Sequence, residues 1–252
     1  MRMEQCLEVE FKLPEELDFK LGEVKCPTII LREVIGFDEE AISQPVYKSN
    51  PAAMVIELIH RCIAEVPGSE RLPTKKEIKL LPIGILDNIV REIRKISVGE
   101  EIPFTVVCPS KVDGVSCGNE DTVVVNIDDI LMTEGSFANK EVTLKRGITI
   151  DGVKLKKALV KCPDGYAQEQ FAKDRDFFKF GEMTTDLLFS CIVDIDGVKA
   201  TKEMISGMAR IDRKLISEAI QKAPSLDLAA KVVCSRCSHE YEATVNLFDF
   251  LA

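Results

Sequence analysis

The sequence predicts an α+β chain of two tandem homologous modules. Each module is a β-hairpin, then a small helical region, then a terminal cysteine-turn, zinc-ribbon-like β-hairpin. Three observations carry this. Short blocks recur in unchanged order: Val24-Lys25-Cys26-Pro27 as Val160-Lys161-Cys162-Pro163, and the run from Cys62 to Gly68 as the run from Cys191 to Gly197. Strict apolar–polar alternation, the signature of a half-buried strand, flanks the cysteine turns. Between these blocks lies a helical stripe, Ile85, Ile89, Val90, Ile93 and Ile96 in one half and Ile211, Leu215, Ile216, Ala219 and Ile220 in the other.

The first module is read as residues 1–133 and the second as 134–252, with the polar stretch at 132–140 as the boundary. A hairpin opens each, over 7–31 and over 141–162. The second has Asp151-Gly152 at its centre, a strong signal for a two-residue turn. Residues 51–66 read as a helix with Asn50 as N-cap and Pro51 at the first helical position, where a missing N–H costs nothing. Residues 183–194 play that part in the second copy. The next helix, 74–97, opens on a Thr74/Glu77 capping box and is broken by Pro82. Its counterpart is 200–223, capped by Thr201. Each module closes on a cysteine hairpin: Val-Val precedes Cys108 and Cys234, and Asn126 and Asn246 each stand nine positions beyond the second cysteine.

Composition bounds the function. The chain has 252 residues, long for one core and sufficient for two, with 46% hydrophobic and 30% charged residues. No apolar run approaches the ~18–20 residues that span a bilayer, so no membrane segment is expected. The acidic N-terminal stretch does not read as a signal peptide. The net charge of −9 argues against nucleic acid as a partner, and the local cluster Lys154, Lys156 and Lys157 reads as solvated surface. Nine cysteines without a secretory signal point to a reducing compartment.

Cys62 and Cys191 lie in apolar helical runs and read as core; Cys26 and Cys162, each before a proline, are ambiguous. The hairpin cysteines differ, because a turn carrying two thiolates can present both sulfurs to one ion. Each module supplies two, so Cys108, Cys117, Cys234 and Cys237 together make a candidate four-thiolate site for one structural zinc. Two other outcomes stay open: unliganded thiols, favoured by the long Cys108–Cys117 spacing, and a disulfide within each hairpin. His239 is an alternative ligand or an exposed turn residue. The alternating residues after Cys237 predict a strand, which disfavours a redox CxxC at a helix N-terminus. No nucleotide-binding, metalloprotease or nucleophile-elbow motif is present. His60, with Phe189 at the matching position, reads as packing. The expectation is a non-enzyme.

The block from Ile89 to Ile130 resembles the bacteriophage T4-like baseplate hub protein family. There a helix runs through an Arg-containing stretch and a Gly into a cysteine-turn hairpin that ends in an Asn-aliphatic-Asp strand. The resemblance rests on Arg91, Ile93, Arg94, Ser97, Val98, Gly99, Cys108, Cys117, Gly118, Asn126, Ile127 and Ile130. The second copy keeps Cys234, Cys237, Asn246, Leu247 and Asp249, but has Pro224-Ser225 where Val-Gly would stand. The opening hairpin of the second module is similar to that of Mu-like phage tail assembly proteins. The resemblance implies a structural component of a contractile tail baseplate or hub. Such a protein is made in the host cytoplasm, located in the virion tail and part of a symmetric multi-subunit assembly with other tail proteins. A transient tail assembly chaperone and a zinc-ribbon adaptor are the alternatives. The apolar cluster Leu247, Phe248, Phe250 and Leu251 is expected to dock, either on its own core or as an interface with a neighbour.

Overall fold

A computed structural model describes residues 6–48, 50–112, 114–173 and 180–247 of the chain. Glu8–Lys12 (β1) passes through two short paired strands, Lys20–Leu21 (β2) and Val24–Lys25 (β3), into Thr28–Arg32 (β4), which runs antiparallel to β1. The predicted first hairpin therefore carries an excursion at its turn. Phe11, Ile29 and Leu31 point inward from it, as strand alternation requires.

Two short helices, Gly36–Ile42 (α1) and Pro45–Lys48 (α2), lead to Pro51–Cys62 (α3). Asn50 caps α3 by accepting the Ala53 N–H at 3.1 Å. The helix expected over 51–66 stops at Cys62, and Ile63–Glu65 (β5) instead pairs with β4. Residues 63–65 sit against an open sheet edge that satisfies their backbone groups, and this outweighs the weak helical pattern at the end of the run. Thr74 and Glu77 form the capping box of Lys75–Ile78 (α4), and after Pro82 the chain resumes as Ile83–Val98 (α5). Ile85, Ile89, Val90 and Ile93 of its stripe are fully buried.

Gly99, at φ +93°, turns the chain out of α5 into Glu101–Val107 (β6). Arg94 fixes that exit by donating to the carbonyls of Gly99 (3.2 Å) and Glu101 (2.9 Å), and Arg91 donates to Ile130 O at 2.8 Å. The arginines of the resembling block thus fasten the helix to the hairpin that follows it. β6 pairs with Glu120–Asn126 (β9), and between them Lys111–Val112 (β7) and Val115–Ser116 (β8) form the tip. A 3-10 turn at Ile127–Asp129 closes the hairpin, with Asn126 Oδ1 accepting the Asp128 N–H.

The second half opens with Lys140–Ile150 (β10) and Val153–Val160 (β11). Asp151 and Gly152 both have positive φ, +48° and +81°, as a type I′ turn demands. Gly165–Lys173 (α6) and Phe180–Cys191 (α7) follow, then Ile192–Ile195 (β12) and Val198–Lys199 (β13) in a sheet ordered β10-β11-β12-β13. The helix expected over 183–194 also gives way to a strand after its cysteine, for the reason that applies after Cys62. Lys202–Ser206 (α8) is capped by Thr201, and Arg210–Gln221 (α9) precedes the last hairpin, Ala229–Val233 (β14) with Glu240–Thr244 (β15).

The recurring Val-Lys-Cys-Pro does not mark equivalent places. Cys26 precedes β4, whereas Cys162 follows β11. The strand that occupies β11's position is β4: both pair with the strand emerging from a helix that ends in cysteine, and both shift register there, at Ile30/Leu31 and at Leu159/Val160. A four-residue match is short enough to arise without structural equivalence.

Two apolar cores result. One lies among the first sheet, α3 and α5; the other lies between the β10–β13 sheet and the helices α7 to α9. The last hairpin belongs to the first core, to which it contributes Ala230, Val245 and Leu247. A cut between residues 133 and 134 would therefore open the first core. Gly84 lies at that crossing, and a Cβ there would stand 2.1 Å from Pro224 O. Among the described residues, no helix is long and apolar enough to cross a membrane.

Candidate metal centre

Two hairpins lie side by side and touch at both ends. At the root, the segment after the first hairpin pairs with the segment entering the last: Thr133 N donates to Ser225 O and Asp227 N to Leu131 O, each at 2.8 Å. At the far end the two cysteine turns meet. The Sγ atoms of Cys108, Cys117, Cys234 and Cys237 all lie within 4.8 Å of one another. Two contacts run between hairpins, Cys108 to Cys237 at 3.7 Å and Cys117 to Cys234 at 3.9 Å.

Local backbone chemistry places each sulfur. Cys108 N donates to Asn119 O, and Cys117 N to Ser110 O, so the long first turn folds back to bring its two cysteines together. In the second turn Cys234 N donates to His239 O and Ser238 N to Cys234 O. The residue after the second cysteine is left-handed in both, Gly118 at φ +55° and Ser238 at φ +58°. Glycine adopts this freely and serine does not. Ser238→Gly should therefore stabilise the protein by about 1 kcal/mol, read as a raised melting temperature; an unchanged or lowered value would contradict this account of the turn.

Polar side chains clamp one turn to the other. Asp121 of β9 accepts both the hydroxyl (2.5 Å) and the backbone N–H (3.1 Å) of Ser235, which lies inside the second turn. Asn119 donates to Asp121 and to Ser235 Oγ, each at 3.0 Å, and Arg236 donates to Cys117 O at 3.2 Å. These hydrogen bonds join the two turns without involving a sulfur. Removing such supports around a metal site costs about 10–100-fold in metal affinity. Asp121→Ala should show a loss of that size in a competition titration against a chromophoric chelator. Unaltered affinity would mean that the clamp does not position the ligands.

The sulfurs differ in acidity. The Ser110 hydroxyl, 3.2 Å away, and the His239 backbone N–H pull the Cys237 thiol down to about 6. At Cys117 the Asn119 backbone N–H favours the thiolate, but desolvation and the neighbouring cysteines outweigh it and hold the thiol at about 11. Cys108 and Cys234 are buried, Cys117 and Cys237 half-buried.

This donor set fits zinc. Zn–S bonds of ~2.3 Å in a tetrahedron put sulfurs about 3.8 Å apart, close to the Cys108–Cys237 and Cys117–Cys234 separations. Four thiolates would close the coordination shell, which is the pattern of a structural site. None of the nine cysteines is joined in a disulfide, and the Cys108–Cys237 and Cys117–Cys234 separations far exceed the ~2.05 Å of an S–S bond. His239 stays outside the cluster and stacks on Tyr241, with ring centroids 6.0 Å apart. Cys62 and Cys191 are core residues whose thiols burial pushes up to about 12 and about 11. Cys26 donates to Val24 O, and Cys162 contacts Ser136 O. Leu247, 2% exposed, is buried in the chain's own core and is not available to a neighbour, while Phe248, Phe250 and Leu251 lie outside the described residues. The sequence pattern did not single out Ser110, Asn119, Asp121 and Ser235. Their only signal is position, within four residues of a hairpin cysteine.

Residues 38–252 match the family model described as T4 bacteriophage base plate protein. The chain belongs to that family. No curated protein and no solved structure matches it. Membership supports a structural role for this baseplate protein in the phage tail, with a place in the virion tail and other tail proteins as its partners. Most of the chain takes part in the match, including all four cysteines of the cluster.

Proposed function

We propose that this baseplate protein is a rigid, non-enzymatic subunit of the tail baseplate or hub, making protein–protein contacts during tail assembly. One zinc ion held by Cys108, Cys117, Cys234 and Cys237 staples its two cysteine hairpins together. The observation that carries this is the convergence of four sulfurs from hairpins over a hundred residues apart in the chain. Ligands that distant in sequence serve best as a cross-link. Synthesis in a reducing host cytoplasm keeps such thiols available to metal.

We also read the two halves as a tandem duplication, with α3–β5 matching α7–β12, α4–α5 matching α8–α9, and the two hairpins matching each other. The shared register shift beside each cysteine-ended helix supports this reading. It gives two quasi-equivalent sets of elements to a symmetric multi-subunit assembly, without nucleic acid or membrane as a partner.

Elemental analysis of protein purified without added metal tests the zinc staple. One zinc per chain is expected; iron or no metal would overturn it. Mass spectrometry of purified tails tests the location. Presence in finished tails supports a permanent subunit, and absence would favour the transient assembly chaperone.

A further inference from the structure

We propose that copies of this chain associate head to tail, the acidic outer face of the first cysteine hairpin of one copy seating on the basic end of the β10–β11 hairpin of the next. The charge that composition averages into a net −9 is in fact segregated. Residues 100–131 carry seven Asp or Glu and one Lys, whereas residues 140–161 carry seven Lys or Arg and two Asp or Glu. The two segments pack on different cores, and among the described residues no ion pair joins them.

Each surface is built rather than incidental. On the outer face of β6–β9 the cross-strand pairs are Glu101 with Asn126, Pro103 with Val124, Thr105 with Thr122 and Val107 with Glu120, all exposed. The face therefore has an acid at each end and an apolar middle, with Val107 57% and Val124 55% exposed. On the other hairpin, β10 bulges between Thr143 and Ile148. Asp212, fully buried, accepts the backbone N–H groups of Lys145, Arg146 and Gly147 and holds the bulge in place. Gly147 is required there, since its φ is +71° and a Cβ would stand 2.4 Å from Leu155 O. The anchored bulge presents Lys145 and Arg146 outward, next to exposed Lys154 and Lys156. Among the described residues these four cations, and Glu101 and Glu120, form no ion pair within the chain. The apolar centre of the β6–β9 face and the methylene stems of the lysines give the contact a dry component.

Strand edges add to the match. β10 is the outermost strand of its sheet, and β6 and β9 form a sheet of two, so each has an unpaired edge that can receive a strand. Two different surfaces of one chain make a heterologous contact, which closes into a ring or propagates, according to its rotation. The pairing of opposite charges makes it sensitive to salt.

Sedimentation velocity on the full chain at low and high salt tests this, together with two charge-reversed proteins, Glu101→Lys/Glu120→Lys and Lys154→Glu/Lys156→Glu. Wild type should self-associate at low salt, at least about tenfold more weakly at high salt. Each reversed protein should sediment as a monomer. Their equimolar mixture should regain association, because each then offers the face the other needs. Circular dichroism and melting temperature check that the reversals leave the fold intact, as their exposure requires. The milder Glu120→Gln and Lys154→Gln variants should weaken association by a smaller factor. A wild type that stays monomeric at low salt, a reversed protein that still associates alone, or a mixture that does not recover would each overturn the proposal. None of these outcomes depends on whether the four cysteines hold zinc.

Discussion

Cys108→Ser is expected to abolish the proposed zinc binding at the four-sulfur site and to loosen the last hairpin, leaving the β10–β13 sheet in place. The expected readout is loss of zinc together with faster hydrogen exchange at the amides of β14 and β15. Slow exchange should persist in β10 and β11, whose core contains none of the four cysteines. A ligand that binds only the folded state stabilises it by RT ln(1 + [L]/Kd), about 4.1 kcal/mol at a thousandfold excess over Kd, so chelation of the wild type should destabilise it on that scale. Metal binding displaces protons from thiols, so affinity should fall as the pH is lowered. Cys117, held at about 11, must give up a proton to bind at neutral pH, whereas Cys237, at about 6, has largely lost its proton already. A variant that loses its zinc yet keeps the wild-type melting temperature and exchange pattern would show that the cluster is not a staple.

Gly84→Ala should destabilise the protein although it lies within a helix. In isolation the change favours a helix by about 1 kcal/mol, since alanine is the better helix former. Here the new Cβ would meet Pro224 O at 2.1 Å and Pro224 C at 3.0 Å, backbone atoms of the segment that leads into the last hairpin. Overpacking against a backbone that cannot step aside costs about 1–3 kcal/mol. The clash should win, giving a lower midpoint in denaturant. A higher midpoint would mean that the α5 contact with residues 224–225 yields easily. Gly22 offers a contrast, because nothing lies within 4 Å of a Cβ there and only its φ of +67° opposes substitution.

Local signals carried much of the architecture. The caps at Asn50, Thr74 and Thr201 and the turn at Asp151-Gly152 were readable because each depends on a few adjacent residues. The four hairpin cysteines were readable as a set because two similar turns each lacked half of a ligand shell. Other features depended on distant partners. Ile63–Glu65 and Ile192–Ile195 continue helical patterns and become strands only because β4 and β11 offer them edges. The clamp through Asp121 and Ser235 joins residues 114 apart, and no local pattern announces it. The match between Cys26 and Cys162 misled because it compared letters across places that differ in topology.

The crossing of the last hairpin onto the first core sets an order of events during synthesis. A chain growing on the ribosome completes its N-terminal sheet and α5 early, but Ala230, Val245 and Leu247, which close that core, are made last. The nascent protein therefore carries an unfinished apolar surface until residue 247 has left the exit tunnel, whereas the β10–β13 unit can close sooner. A product truncated before that point keeps the open surface and is a substrate for chaperones and proteases. Only a chain translated through the β14–β15 hairpin can bring the four cysteines together.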